Sequence, residues 1–471
     1  MRKLLAVCVM STLTVPGLAA QAPQGIMDVR VSRAQPGKWE VPDCGLNKGN
    51  FMISSGGTYL KSGAEASDEV KKAKLYGDGL EVILDGIQKG QAGASGAWYY
   101  LGRAYLYLGD LRGADSALSR AQALAPGCAK DIQQTRRNTW VQLLNAGIGF
   151  VKAENTDSAI ALFRQANMIY TGEPNAFTNL GVIYVNKQMP DSAIVYFREA
   201  VAASGSEAKA VEGRNQAQYN LAALLSNQAR WKEAVPAWQQ YLQWVPGDAD
   251  AKKAYARALR ADGQPDAAAA IERELISGGG GEVATADLMN AGVNFFNDKN
   301  YTEAAATFGR VVQREPWNRD ALFNLANSYL GLQNGPELVK TGLALTALDP
   351  MNEKSVKLLA QGYQLEKNQP MIVKYYTELE AMPFSLEIET LTLQAGGASV
   401  RATATGRAAK TIDTKPIAAH PVTLIFEFLD KDMAVVASSE RIVPALAVGE
   451  TSVVEAEGLG AGIVGWKYRV K

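Results

Sequence analysis

From residue 95 onward, apolar and small residues return at helical spacing over long stretches. In "SGAWYYLGRAYLYLGDLRGA" (95–114), Trp98, Leu101, Gly102 and Tyr105 fall on one helical face, and Ala114, Leu118, Ala121 and Pro126 follow. With Ser95 as position 1, the same frame recurs from Pro174 (Leu180, Gly181, Tyr184, Ala193, Phe197, Ala200) and from Thr285 (Leu288, Gly292, Phe295, Ala304, Phe308, Pro316). Pro316 and Pro350 stand 34 residues apart, and the repeat between them carries Leu322, Leu325, Ala326 and Tyr329. Frames beginning near Trp140 and Asn215 fit as well, and those near Ala249 and Glu353 fit more weakly. Each repeat predicts two antiparallel helices. Small residues at positions 8 and 20 let the helices approach, and a larger one at position 24 fills the space beside them. Pro190, Pro265, Pro336 and Pro370 are expected near the start of second helices, where a missing N–H costs little. The intervals before Trp140 and Asn215 are longer, so extended helices or loops are expected there.

After Pro383 the period changes to two. "FSLEIETLTL", "ASVRATAT" and "PVTLIFEFLD" alternate, "DKDM" reads as a hairpin turn, and "GETSVVEAEG" and "GWKYRVK" supply further strands. Six or seven short strands predict a small β-sandwich.

The spacing W-x2-L-G-x2-Y at Trp98, Leu101, Gly102 and Tyr105 resembles a tetratricopeptide repeat, with Leu118 where an aromatic is usual. The fold expected is α+β and multidomain: a solenoid of about eight such hairpins behind a degenerate N-terminal one, then an Ig-like β-sandwich. A second resemblance lies in "FEFLD" (426–430), followed by "ERIVPALAVGET" and "GWKYRVK". It is similar to the FxLYD domain, with Phe426 and Asp430 matching, Phe428 at the leucine and Leu429 at the tyrosine. That likeness implies an accessory module and no chemistry.

The domain boundaries expected are a signal peptide at 1–22, a lead-in at 23–48 and a capping hairpin at 49–94. A first repeat block at 95–276, a Gly-rich linker at 277–284, a second block at 285–383 and the β-domain at 384–471 follow. The leader reading rests on the basic start MRK, a short apolar stretch and small residues near Gly17 to Ala22. Cys8 is poorly placed for lipidation, and the mature chain is expected to be exported to the periplasm, the envelope or the medium.

Charge narrows the partners. Lys plus Arg and Asp plus Glu both number 48, which removes the long-range field of a nucleic-acid binder. The run at 95–114 is broken by Arg103, Asp110 and Arg112, so it does not read as a membrane span. Cys44 and Cys128 remain after the leader; separate buried thiols are slightly preferred over a disulfide. His420 is the single histidine and reads as a loop residue, and Gly460, Gly462 and Gly465 read as a turn between strands, without the helix that a dinucleotide site needs. No P-loop or metal-ligand spacing is present, no cofactor is proposed, and the chain reads as non-enzymatic.

Asn145, Asn179, Asn220, Asn290 and Asn324 all stand at position 6 of their repeats. The tetratricopeptide resemblance implies that this position faces a concave groove, where asparagines pair with the backbone of an extended ligand. The row is broken by Tyr100, Ala254 and Leu358. Arg103, Lys152, Arg257 and Arg260 do not reproduce the family's carboxylate clamp. Trp98, Leu101 and Tyr105 are expected in the core, and Tyr99 and Tyr107 on the groove side. The function expected is a scaffold holding a partner protein or peptide segment; the alternative is a periplasmic structural adaptor in polysaccharide or outer-membrane protein assembly.

Overall fold

The computed structural model describes residues 39, 42–203, 208–277, 283–394, 396–411 and 413–471. The expected signal peptide at 1–22 and most of the Gly-rich run "SGGGGE" lie outside the described residues. The chain forms two compact units, 1–263 and 264–471.

The first unit holds α1 (Phe51–Glu65), α2 (Glu69–Gly86), α3 (Ser95–Leu108), α4 (Leu111–Leu124), α5 (Ala129–Lys152) and α6 (Thr156–Ile169). It continues with α7 (Asn175–Asn186), α8 (Pro190–Ala202), α9 (Ala208–Asn227), α10 (Trp231–Trp244) and α11 (Ala249–Ala261). The second unit holds α12 (Pro265–Ser277), α13 (Thr285–Asn297), α14 (Tyr301–Arg314), α15 (Arg319–Gly331), α16 (Gly335–Leu348), α17 (Glu353–Leu365) and α18 (Gln369–Ala381). Its strands are β1 (Phe384–Gln394), β2 (Gly397–Gly406), β3 (Val422–Leu429), β4 (Val435–Val443), β5 (Thr451–Leu459) and β6 (Gly465–Val470).

The helices pair as the repeat frame requires, and the backbone keeps count. A left-handed residue stands at position 15 of every repeat: Gly109, Glu154, Gln188, Ala229, Gly263, Lys299, Gln333 and Lys367. There the first helix ends, and in most repeats the next N–H turns back to the carbonyl of position 11, as from Asp110 to Tyr105 at 2.9 Å and from Asn300 to Phe295 at 2.8 Å. Position 16 often caps the second helix. Asp110, Asn155, Asn334 and Asn368 accept from the N–H groups of Gly113, Ser158, Glu337 and Met371.

Small residues permit the close approach. A Cβ added to Gly147, Gly181 or Gly292 would stand 2.5, 2.5 or 2.6 Å from the ring of Phe163, Phe197 or Phe308. Each partner ring is fully buried at position 24. The extra length before Trp140 and Asn215 goes into α5, which has 24 residues, and α9, which has 20. The expected capping hairpin is α1 with α2, drawn together where the backbones of Gly56 and Gly79 meet.

In the second unit the repeats run into two three-stranded antiparallel sheets, ordered β1-β2-β5 and β4-β3-β6. Their inner faces share one core with α17 and α18, in which Phe384, Ala402, Phe426 and Trp466 meet Leu359, Tyr375 and Leu379. Phe426, Phe428 and Leu429 are buried, and Asp430 closes the β3–β4 turn by accepting from the N–H groups of Asp432 and Ala434, both at 2.9 Å. Arg319 and Asp349, from the helical part, lock onto β6. The Arg319 guanidinium covers the Trp466 ring at 3.6 Å and donates to the Trp466 carbonyl at 2.8 Å, while the Tyr468 hydroxyl donates to Asp349 and accepts from the Met351 N–H. Burial lowers Arg319 to about 10 and raises the Asp349 carboxyl above its usual range. His420 is exposed in the loop before β3, and Gly460 and Gly462 lie in the turn between β5 and β6.

The expectation about the cysteines is overturned. Cys44 and Cys128 form a disulfide across 84 residues of sequence. Nothing in their spacing signalled it, because the lead-in has to fold back onto the start of α5 before the two sulfurs meet.

Candidate functional site

The asparagines at position 6 fall into two sets. In the first unit Asn145 lies on α5, Asn179 on α7 and Asn220 on α9; in the second, Asn290 lies on α13 and Asn324 on α15. Helices α7 and α9 touch directly, as do α13 and α15. For Asn179 with Asn220, and for Asn290 with Asn324, the repeat frame therefore brings equivalent side chains onto touching helices.

Their surroundings differ. Asn179 and Asn220 are 7% and 8% exposed, Asn145 and Asn324 are half-buried, and Asn290 is exposed. The Asn220 side-chain oxygen accepts from Gln216 Nε2 at 3.0 Å, and the Asn324 backbone carbonyl accepts from the Ser328 hydroxyl at 2.8 Å. One turn further along, position 9 carries Val182 on α7 and Ala223 on α9, both half-buried, and position 13 carries Asn186, which is exposed. Asn179 and Asn220 are thus more buried than the residues beside them, while Asn145 is half-buried, as Val182 and Ala223 are.

Position 5 of the repeat carried by α9 is aromatic. Tyr219 meets Trp238 and Tyr241 edge-on at 5.1 and 5.3 Å, and burial raises its phenol pKa. The Tyr241 hydroxyl donates to Asp248 at 2.8 Å, which fixes the start of α11.

The aromatic run of α3 departs from the expectation. Trp98 and Tyr105 are only half-buried against the core, whereas Tyr99 and Tyr107 are 2% and 5% exposed. Tyr107 packs on Tyr76 of α2 at 4.6 Å and accepts from Arg103 Nε at 3.0 Å, and burial raises its phenol pKa. Trp39 then covers the Arg103 guanidinium at 4.0 Å and stacks on Tyr100 at 6.2 Å. Tyr107 is closed off by Tyr76 of α2, the Tyr99 hydroxyl meets the Thr135 hydroxyl of α5 at 3.4 Å, and Trp39 covers Arg103 and Tyr100 beside them. Trp39 is a contributor that the sequence reading missed. Its only signal was a lone indole in the otherwise polar "QPGKWEVPDCG".

Among the described residues, no three or more His, Cys, Asp or Glu side chains are grouped so as to hold a metal ion. No helix among them is long and apolar enough to cross a membrane.

Family models for the tetratricopeptide repeat match residues 97–127, 174–206 and 219–282. No curated protein matches the chain. Among solved structures the chain is similar to YrrB, described as a TPR protein with an unusual peptide-binding site, at 20% identity and a TM-score of 0.31, covering 38% of this chain and 88% of that one. It is also similar to MamA MSR-1, at 15% identity and a TM-score of 0.30 over 36% and 96% of the two chains. PilF of Pseudomonas aeruginosa is similar at 17% identity and a TM-score of 0.29 over 49% and 99%. The matched segments coincide with the α3/α4, α7/α8 and α9/α10 pairs and run on through α11 and α12. The chain carries tetratricopeptide repeats, and they end in a β-sandwich.

Proposed function

We propose that the chain is an exported, non-enzymatic scaffold whose repeats hold an extended segment of a partner protein along the position-6 face of their first helices. The observation that carries this reading is the placement of Asn179 and Asn220 at the same repeat position on the touching helices α7 and α9. An amide both donates and accepts, so two or three in step can pair with successive peptide groups of a strand. Each bond contributes only ~0.5–1.5 kcal/mol net, so capture depends on several acting together.

Export is supported by the basic and apolar start of the sequence and by the Cys44–Cys128 disulfide, a bond that persists in oxidising compartments. The FxLYD likeness of the β-domain is supported by the buried Phe426, Phe428 and Leu429 and by Asp430 capping the turn after β3. On this reading the β-domain adds a second contact surface or positions the repeats.

The test is capture of envelope proteins by the purified chain, compared with a variant carrying Asn179→Ala, Asn220→Ala and Asn324→Ala. Loss of at least tenfold in captured partner, with an unchanged circular dichroism spectrum, is expected. Undiminished capture by a folded variant would remove the groove from the account.

A further inference from the structure

The lead-in shows an extended segment already seated on a first helix of the first unit. Asn47 exchanges both of its backbone groups with the start of α3: its carbonyl accepts from the Gly96 N–H at 2.8 Å, and its N–H donates to Ser95 Oγ at 2.9 Å. Three residues on, the Asn50 N–H donates to Gln91 Oε1 at 2.9 Å. Gly96 is the residue that permits this approach, since a Cβ there would stand 2.6 Å from the Asn47 carbonyl oxygen. Leu46 is buried beside it.

One helical turn and more along α3, the same face carries Tyr99, Tyr100, Arg103 and Tyr107. These are positions 5, 6, 9 and 13 of the repeat, all less than a tenth exposed. Trp39 lies over this cluster. Its ring sits 4.0 Å from the Arg103 guanidinium and stacks on Tyr100. A guanidinium between an indole and phenols is held by cation–π attraction as well as by hydrogen bonding to Tyr107. Between the backbone clasp and the aromatic clasp stands Cys44, bonded to the fully buried Cys128 just ahead of α5. Cys44 itself is half-buried.

We propose that Trp39 and residues 42–47 are an intramolecular occupant of the α3 face, tethered by the Cys44–Cys128 disulfide, and that reducing this bond releases them. The site uncovered is a cradle for an extended segment that brings an aromatic side chain to Arg103 and Tyr100 and a peptide group to Gly96 and Ser95. The inference rests on the reading above, that first helices hold extended chains, and names the chemistry of one such site. The release step is a thiol–disulfide exchange with a dithiol reductant. A thiolate attacks Cys44 Sγ, Cys128 leaves as the thiolate, and the second thiol of the reductant frees Cys44. The reductant is oxidised to its disulfide and the protein gains two thiols.

The experiment uses the full chain. Hydrogen exchange is followed at the Gly96 amide and across residues 42–50, before and after dithiothreitol, with circular dichroism to confirm that the helices persist. Exchange at least tenfold faster after reduction is expected; unchanged protection would overturn the release. In a second arm, a fluorescent peptide of residues 38–48 carrying Cys44→Ser is titrated against the oxidised chain and against a chain carrying Trp39→Ala and Cys44→Ser. Binding at least tenfold tighter to the altered chain is expected, with at least a tenfold loss when the peptide carries Trp39→Ala or the altered chain also carries Arg103→Gln. Equal binding to both chains, or indifference to Trp39, would overturn the cradle. Asn179→Ala with Asn220→Ala should leave this peptide's binding unchanged, so a failure on α3 and a failure on α7 and α9 are read separately.

Discussion

Gly181 of α7 faces Phe197 of α8 so closely that a Cβ on the glycine would stand 2.5 Å from one ring carbon and 2.6 Å from the next. This contact, repeated at Gly147 with Phe163 and at Gly292 with Phe308, sets the spacing of the hairpins. Replacing a helical glycine by alanine ordinarily stabilises by ~1 kcal/mol. At Gly181 the overlap with a fully buried ring outweighs that gain, and Gly181→Ala is expected to destabilise by ~1–3 kcal/mol. Gly149, in α5 with open space where its Cβ would go, is the control: Gly149→Ala is expected to stabilise by up to ~1 kcal/mol. Urea unfolding of the two variants checks the opposite signs.

Ala229 holds the left-handed position that Gly109 and Gly263 hold in their own repeats. A Cβ in that conformation costs roughly 1–2 kcal/mol, which glycine avoids. Glycine gives part of this back as added freedom of the unfolded chain. Ala229→Gly is therefore expected to raise stability by ~0.5–1 kcal/mol, seen as a shift of the urea midpoint at constant slope. A loss of stability would mean that the turn is not strained.

The disulfide closes a loop of 84 residues in the first unit. Constraint of the unfolded chain on this scale typically contributes ~2–4 kcal/mol. Cys44→Ser with Cys128→Ser is expected to lower the unfolding free energy of the first unit by that amount. A shift below about 0.5 kcal/mol would show that the lead-in is not anchored there.

Asp349 is buried beside Tyr468 and Arg319, and burial raises its pKa above the ordinary carboxylate value. A folded-state pKa above the unfolded one means that the group's contribution to stability is full at low pH and is lost as pH rises through the raised value. Asp349→Asn keeps an acceptor for the Tyr468 hydroxyl and removes the titration. The melting temperature of the variant relative to the parent chain is expected to rise between pH 3 and pH 7. A gap that does not change with pH would contradict the assignment.

The repeat frame was legible because its determinants are local: Gly147, Gly181 and Gly292 recur in step with Phe163, Phe197 and Phe308, and a fixed period reveals both. The β-strands were legible from alternation, including the hairpin turn that Asp430 caps. What escaped depends on contacts distant in sequence. Arg319 reaches Trp466 across 147 residues, and Cys44 reaches Cys128 across 84. Tyr99 and Tyr107 stand at positions expected to face a groove, yet Tyr107 packs on Tyr76 of α2 and Tyr99 meets Thr135 of α5, and no pattern within α3 announces either. The left-handed turns were readable only at Gly109 and Gly263; Glu154, Gln188, Ala229, Lys299, Gln333 and Lys367 give no signal for a positive φ. For the asparagines, the repeat frame shows their equivalence but not their burial, which depends on how neighbouring helices pack around Asn179 and Asn220.

The central claim is that partners lie along the position-6 face of the first helices. Photo-crosslinking tests it most directly, with a photoreactive residue placed in turn at Asn186 of α7, Ala223 of α9 and the exposed Val195 of the second helix α8. The account predicts partner adducts from positions 186 and 223 and none from 195. Adducts from position 195 alone would contradict it.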